Sequence, residues 1–172
     1  MNRRRVLSIS AIIVLGLAVL PGSAVSQQKS LKDQLVGTWM LTSWEQEGGQ
    51  TGPKFQRFGA NPKGFSIFDA SGRFYAMFAR PDLPKIASNN PSTPTPEEAK
   101  AIVGGAIAYY GTYTVDESAK VITMKLESSS FANQLASDQK RTVTSITPTE
   151  LKMQNTTVLS GGQIYYVYRR AN

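Results

Sequence analysis

Enzymes move protons and attack carbonyls mostly with imidazole, thiolate and carboxylate groups, and this 172-residue chain has no histidine and no cysteine. That excludes imidazole bases, thiol nucleophiles, the usual zinc ligands, disulfides and any acyl anchor on a cysteine. Proton transfer is left to Glu45, Glu127 and Tyr113, which have no diagnostic spacing. No catalytic residue is assigned on that basis, and no metal or cofactor is expected. Ser128-Ser129-Ser130 lacks the strand–turn–helix context and the base of a nucleophile elbow, and reads as an extended linker. Gly104-Gly105 and Gly161-Gly162 lack the strand–loop–helix setting of a phosphate cradle. The first reads as a helix-end break and the second as a hairpin turn.

Binding chemistry is better supplied. Arg141, if it faces inward, offers a planar fork suited to bidentate contact with a carboxylate head group. Ser43, Glu45 and Tyr113 are its candidate neighbours, and Tyr75 and Met77 complete the set of candidate ligand contacts. Glu127 has two readings. Alternation with Val121, Thr123 and Lys125 puts it on a solvated outer face, whereas a twist or bulge would turn it inward to pair with Arg141. The many aromatic side chains read mainly as packing. Tyrosines are the informative subset, because a buried hydroxyl needs a partner and can line a pocket.

Strands must position these residues. Gly37 to Glu45 alternates, with Trp39, Leu41 and Ser43 on one face and Met40, Thr42 and Trp44 on the other. Leu31 to Leu35 reads as one helical turn leading into it, and Glu47-Gly48-Gly49-Gln50 as the turn that ends it. Thr51 to Asn61 is irregular. Gly64–Phe68 and Arg73–Arg80 form a hairpin through Asp69-Ala70-Ser71-Gly72. Pro81 to Pro94 is a proline-rich loop. Thr95-Pro96-Glu97-Glu98 opens the one convincing helix, with a cap, a proline at the first helical position and a capping-box carboxylate. That helix is expected to end near Val103 or to run to Ile107, with Ala99, Ile102, Val103 and Ala106 as its apolar stripe. Segment 81–107 can serve as a lid over a barrel mouth or as a plug inside it. Further strands follow at 109–115, 120–128, 138–146, 150–157 and 163–170. The count is about eight strands joined by tight turns, an all-β antiparallel meander with one short capping helix.

The N-terminus bounds the compartment. Arg3-Arg4-Arg5 precedes an apolar run, Val6 to Leu20, and then small residues. This is the pattern of a signal peptide over 1–26, with cleavage after Ala24 or Ser26, and it is short for a membrane span. An uncleaved anchor and a loose twin-arginine signal are the alternatives. The formal charge is +7, and removing Arg3, Arg4 and Arg5 leaves +4. The remaining basic residues are dispersed, which argues against a nucleic-acid surface. Residues 27–172 suffice for one core. The protein is expected to be periplasmic or secreted, with no membrane span after signal removal.

The ordered pieces resemble the bacterial lipocalin-like domain family. Leu35-Val36-Gly37-Thr38-Trp39 with Ser43-Trp44 looks like the family opening. Pro62-x-Gly64 with Asp69-x-x-Gly72 looks like its second and third strands. Tyr110-Gly111-Thr112-Tyr113-Thr114-Val115-Asp116 and Asp138-Gln139-Lys140-Arg141 follow in family order. The resemblance implies a closed or nearly closed barrel with a cavity, and no single activity. It also implies a structural role for Gly37 and Trp39, with Trp39 at the closed end beneath Arg169 or Arg170. Related members often carry histidine on the strand occupied here by Ile122 to Glu127, where Met124 and Lys125 stand instead. The expected function is binding of a small apolar or amphipathic molecule. The alternatives are an isomerase or cyclase using a barrel Tyr or Glu, and a packed barrel acting as an interaction module.

Overall fold

The computed structural model describes residues 29–48, 52–155 and 162–172. The signal segment 1–26 lies outside the described residues, as do Gly49-Gln50 and Ser160-Gly161 of two expected turns. Everything is built on β1, Gly37–Gly48. Around it run β2 (Gly52–Phe55), β3 (Lys63–Phe68), β4 (Arg73–Ala79), β5 (Ala106–Asp116), β6 (Val121–Ser129), β7 (Gln139–Ile146), β8 (Glu150–Asn155) and β9 (Ile164–Arg170). Pairing is antiparallel throughout, in the order β2-β1-β3-β4-β5-β6-β7-β8-β9, and β1 also pairs with β9. The long strands therefore close into an eight-stranded barrel with no free edge. β2, within the stretch expected to be irregular, is a short addition to the far end of β1, with Gln46 opposite Phe55.

Strand alternation fills the interior, but three bulges reset it. In β1 the partners of β9 jump from Leu41↔Tyr168 to Ser43↔Val167, so Thr42 is the extra residue. In β7 the partners jump from Val143↔Met153 to Ser145↔Lys152, so Thr144 is extra. Each bulged threonine turns its hydroxyl onto the opposite carbonyl, Thr42 to Val167 O at 3.0 Å and Thr144 to Lys152 O at 3.2 Å. A bulge adds one residue and so exchanges the two faces downstream of it. Trp39 and Leu41 are buried before the β1 bulge, and Trp44 and Gln46 are buried after it. The expected face Trp39-Leu41-Ser43 is corrected accordingly: Ser43 leaves the interior and Trp44 enters it. The third bulge leaves Glu127 of β6 unpaired with β5.

One end of the barrel is sealed. Helix α1, Leu31–Leu35, lays Leu31 and Leu35 across it. The backbone N–H groups of Leu31 and Lys32 donate to the Glu117 carboxylate at 2.7 and 3.0 Å. Trp39 is fully buried below, and its indole N–H donates to Leu35 O at 2.8 Å. The Arg170 guanidinium lies 4.0 Å from the Trp39 ring centroid and donates to Val36 O, Gln34 O and Pro148 O at 2.9, 2.6 and 2.8 Å. Of the two arginines considered for this place, Arg170 occupies it and Arg169 is exposed. Gly37 has φ +134°, and a Cβ there would stand 2.6 Å from the Arg170 guanidinium. Large apolar groups such as Trp39, Leu35, Phe68 and Ile122 fill this half, each contributing roughly 1.5–3 kcal/mol by burial.

Helix α2, Pro96–Gly105, carries the full expected capping box: Glu98 N–H donates to Thr95 Oγ1 at 3.2 Å, and Thr95 N–H to Glu98 Oε2 at 2.8 Å. Glu98 also accepts from Ala87 N–H at 2.9 Å, tying the proline-rich loop to the helix. These backbone donors hold its carboxyl below the ordinary range. The helix runs directly into β5. Only Gly105 is buried, and Val103 is 69% exposed, so α2 is not a plug: it lies outside the barrel.

Candidate functional site

The barrel is filled at the Trp39 end and hollow at the other, where a cavity of about 340 Å³ opens. Six strands deliver its walls. β1 supplies Trp44 and Gln46, β4 Phe78, β5 Ile107 and Tyr109, β7 Gln139 and Arg141, β8 Asn155, and β9 Ile164 and Tyr166. Two connections complete it. The segment after β2 brings Arg57 and Phe58, and the β6–β7 connection brings Phe131 and Gln134. That second connection contains a short 3-10 helix, Ala132–Ala136. Ser129 Oγ donates to Gln134 Oε1 at 2.9 Å and Gln139 Nε2 to Gln134 O at 3.4 Å, which pins the 3-10 helix beside the mouth.

The apolar part is an aromatic cluster. Phe58 meets Trp44 edge-on at 5.2 Å and Phe78 at 5.9 Å, and Phe78 meets Tyr109 edge-on at 6.1 Å. The polar part is Arg141. The residue is 3% exposed, and its guanidinium sits 5.1 Å from the Tyr166 ring centroid. It donates to Lys140 O at 3.1 Å. Burial works against its charge, and the phenol oxygens of Tyr166, Tyr109 and Tyr168 work for it, with the balance upward. Burial pushes Tyr109 up to about 12 and Tyr168 well above the usual phenol range, so both remain protonated at physiological pH.

Arg57 is the second cation of the wall and is differently occupied. It donates to Gly104 O, Val103 O and Ala106 O at 2.9, 3.1 and 3.4 Å, where its charge complements the C-terminal end of α2. Burial lowers its pKa, with Tyr166 opposing. The wall thus holds two arginines and four carboxamides but no Asp or Glu among the described residues. No group of three or more His, Cys, Asp or Glu that could hold a metal occurs among them. Outside the mouth, a second groove of about 430 Å³ runs between α2 and the outer face of β4 and β5, and Phe131 lines both spaces.

The residues singled out in the sequence are scattered by this geometry. Arg141 lies in the cavity wall. Ser43 and Glu45 are turned to the outer face by the Thr42 bulge, and Glu45 accepts from Gln56 Nε2 at 3.3 Å. Tyr75 and Met77 are 42% and 48% exposed, and Tyr75 stacks on Tyr110 across β4 and β5 at 6.2 Å. Tyr113 is buried near the sealed end, where it donates to Asp69 O at 2.8 Å, and burial raises its pKa. Glu127 is exposed and pairs with Arg73 at 2.8 Å instead of Arg141; that bond holds its carboxyl low. Gln46, Arg57, Phe58, Phe131 and Asn155 were not singled out as site residues. Only the aromatic pair in otherwise polar loops, Phe58 and Phe131, carried a signal.

The family model of the lipocalin-like domain matches residues 36–166. The chain belongs to the lipocalin-like domain family. Two solved structures are similar in fold. One is a lipocalin-like protein from Bacteroides uniformis, 14% identical, covering 80% of this chain and 99% of that one, with a TM-score of 0.44. The other is a redesigned β-barrel, 16% identical, covering 86% and 100%, with a TM-score of 0.43. No curated protein matches the chain. Membership of the lipocalin-like family agrees with the closed eight-stranded barrel. No described helix is long and apolar enough to cross a membrane.

Proposed function

We propose that this lipocalin-like protein binds one small, amphipathic molecule in the hollow end of its barrel. The observation that carries the reading is the cavity itself: about 340 Å³, with a wall that combines Trp44, Phe58 and Phe78 with Arg141, Gln46 and Asn155. Small-molecule pockets run from about 300 to 1,000 Å³ and combine an apolar wall with a few convergent polar groups. The wall supplies hydrogen-bond donors and cations but no carboxylate among the described residues, and burial keeps the Tyr109 phenol protonated at neutral pH. Binding therefore has more support than an isomerase or cyclase role, which needs a proton acceptor in the cavity.

The same reading makes the protein an exported one, periplasmic or secreted, supported by the basic start and the apolar run from Val6 to Leu20. Intact mass measurement of the protein from its native host, by cell fraction, tests this by the loss of the first 24 or 26 residues. For the cavity, native mass spectrometry of the same material is expected to show a small-molecule adduct released on unfolding. A barrel that is always empty, with Trp44 emission unmoved by a panel of amphiphiles, refutes the binding reading.

A further inference from the structure

We infer that the cavity selects molecules that carry a carboxylate on an apolar, ring-sized body, and that Arg141 sets this selection; the inference rests on the binding reading above. Arg141 is 3% exposed, yet none of the three ion pairs among the described residues includes it. Among the described residues it donates to one backbone carbonyl and lies against the face of Tyr166. A buried cation without an anion is costly, and removing the anion from a buried pair typically costs several kcal/mol. An incoming carboxylate supplies the missing charge and matches the guanidinium fork.

Two further observations narrow the class. Arg57, the other cation, is committed to three carbonyls at the end of α2. One available guanidinium suits a monoanion better than a doubly charged phosphate. The apolar part of the wall is largely aromatic, with Trp44 and Phe58 edge-on at 5.2 Å, which suits a flat apolar body. An amine of the same shape would bring a second cation toward Arg141 and is disfavoured.

Calorimetry with 4-phenylbutyrate, 4-phenylbutan-1-ol and 4-phenylbutylamine on the full-length protein tests this. The acid is expected to bind roughly 10- to 100-fold more tightly than the alcohol, the range of a charge-assisted hydrogen bond, and the amine more weakly than either. In R141Q the acid falls to the affinity of the alcohol while the alcohol is unchanged. R141K, which keeps the charge and loses the fork, restores part of the preference. Circular dichroism checks that the variants are folded, and the wild-type series decides the matter if R141Q is not. Equal affinity for acid and alcohol in the wild type, or an undiminished preference in folded R141Q, overturns the assignment to Arg141 and leaves the binding reading standing. No binding by any of the three overturns both.

Discussion

Replacing Arg170 with alanine tests how the sealed end is held. Three carbonyls, those of Val36, Gln34 and Pro148, each accept from its guanidinium within 3.0 Å, and the Trp39 ring lies 4.0 Å beneath. A hydrogen bond to a charged group contributes about 1.5–3 kcal/mol, but Arg170 is partly exposed and water can replace part of each bond. Stacking on an indole adds about 0.5–2 kcal/mol. The expected loss for R170A is therefore about 3–4 kcal/mol, or roughly 10 °C in Tm for a domain of this size. R170K keeps the charge but reaches at most one carbonyl, and is expected to lose about 2 kcal/mol. Gly37 sharpens the test. An alanine there adopts φ +134° and presses its methyl on the guanidinium, 2.6 Å away. G37A thus combines backbone strain of about 1–3 kcal/mol with displacement of the Arg170 fork. In an R170A background only the strain remains. Urea denaturation of the two single variants and the double variant is expected to show coupling of about 1 kcal/mol or more. Losses that add to within about 0.5 kcal/mol, or an R170A loss below about 1 kcal/mol, refute the reasoning.

Alkaline pH offers a second handle. Tyr109 ionises near 12 in the fold, and about 10 when unfolded, so its neutral form stabilises the protein fully below about pH 10 and this is lost as pH rises towards 12. The loss is about 2–3 kcal/mol, with Tyr168 acting in the same direction, and urea midpoints read beside tyrosinate absorbance will show it. At the β5–β6 bulge, a Cβ on Gly111 would collide with Lys125 O and stand 3.0 Å from both Glu127 N and Leu126 Cα. Backbone atoms cannot move aside cheaply, so G111A is expected to cost about 3 kcal/mol, measurable by thermal denaturation. Phe131 is 43% exposed and separates the cavity from the outer groove. F131A is expected to raise ligand dissociation rates several-fold in stopped-flow fluorescence while stability changes by no more than about 0.5 kcal/mol.

How far the chain could be read without coordinates depended on whether a signal was local. The capping box at Thr95 and Glu98 and the Asp69–Gly72 hairpin are written in a few adjacent residues, and both form as expected. Closure of the barrel through β1 and β9 was legible as a count of strands and a family pattern. The site was not, and Thr42 shows why. Nothing in Leu41-Thr42-Ser43 distinguishes a bulge from regular alternation, because the extra residue is fixed by the pairing of Leu41 with Tyr168 and of Ser43 with Val167, far away in sequence. One residue of slip moves Ser43 and Glu45 outward and Trp44 and Gln46 inward. Asn155 and Gln139 were invisible for a related reason: a carboxamide on a strand carries no periodic mark of the face it will join. Phe58 lies in no long strand at all, and its burial comes from folding back onto Trp44 and Phe78.

The two ends of the barrel place the same chemical group in opposite circumstances. Arg170 and Arg141 each lie over an aromatic ring, at 4.0 Å from Trp39 and 5.1 Å from Tyr166. Arg170 also holds three carbonyls, and so joins β9, α1 and the β7–β8 turn into one closed end. Arg141 is the more deeply buried of the two, holds one carbonyl from its own neighbour, and faces open space. If stability alone governed both places, the buried one would be the better satisfied, since the cost of an unmatched charge rises with burial. The order is reversed. An arginine whose donors are consumed by backbone belongs to the scaffold, whereas one kept buried, charged and undersupplied with acceptors is the group that the proposed carboxylate would complete.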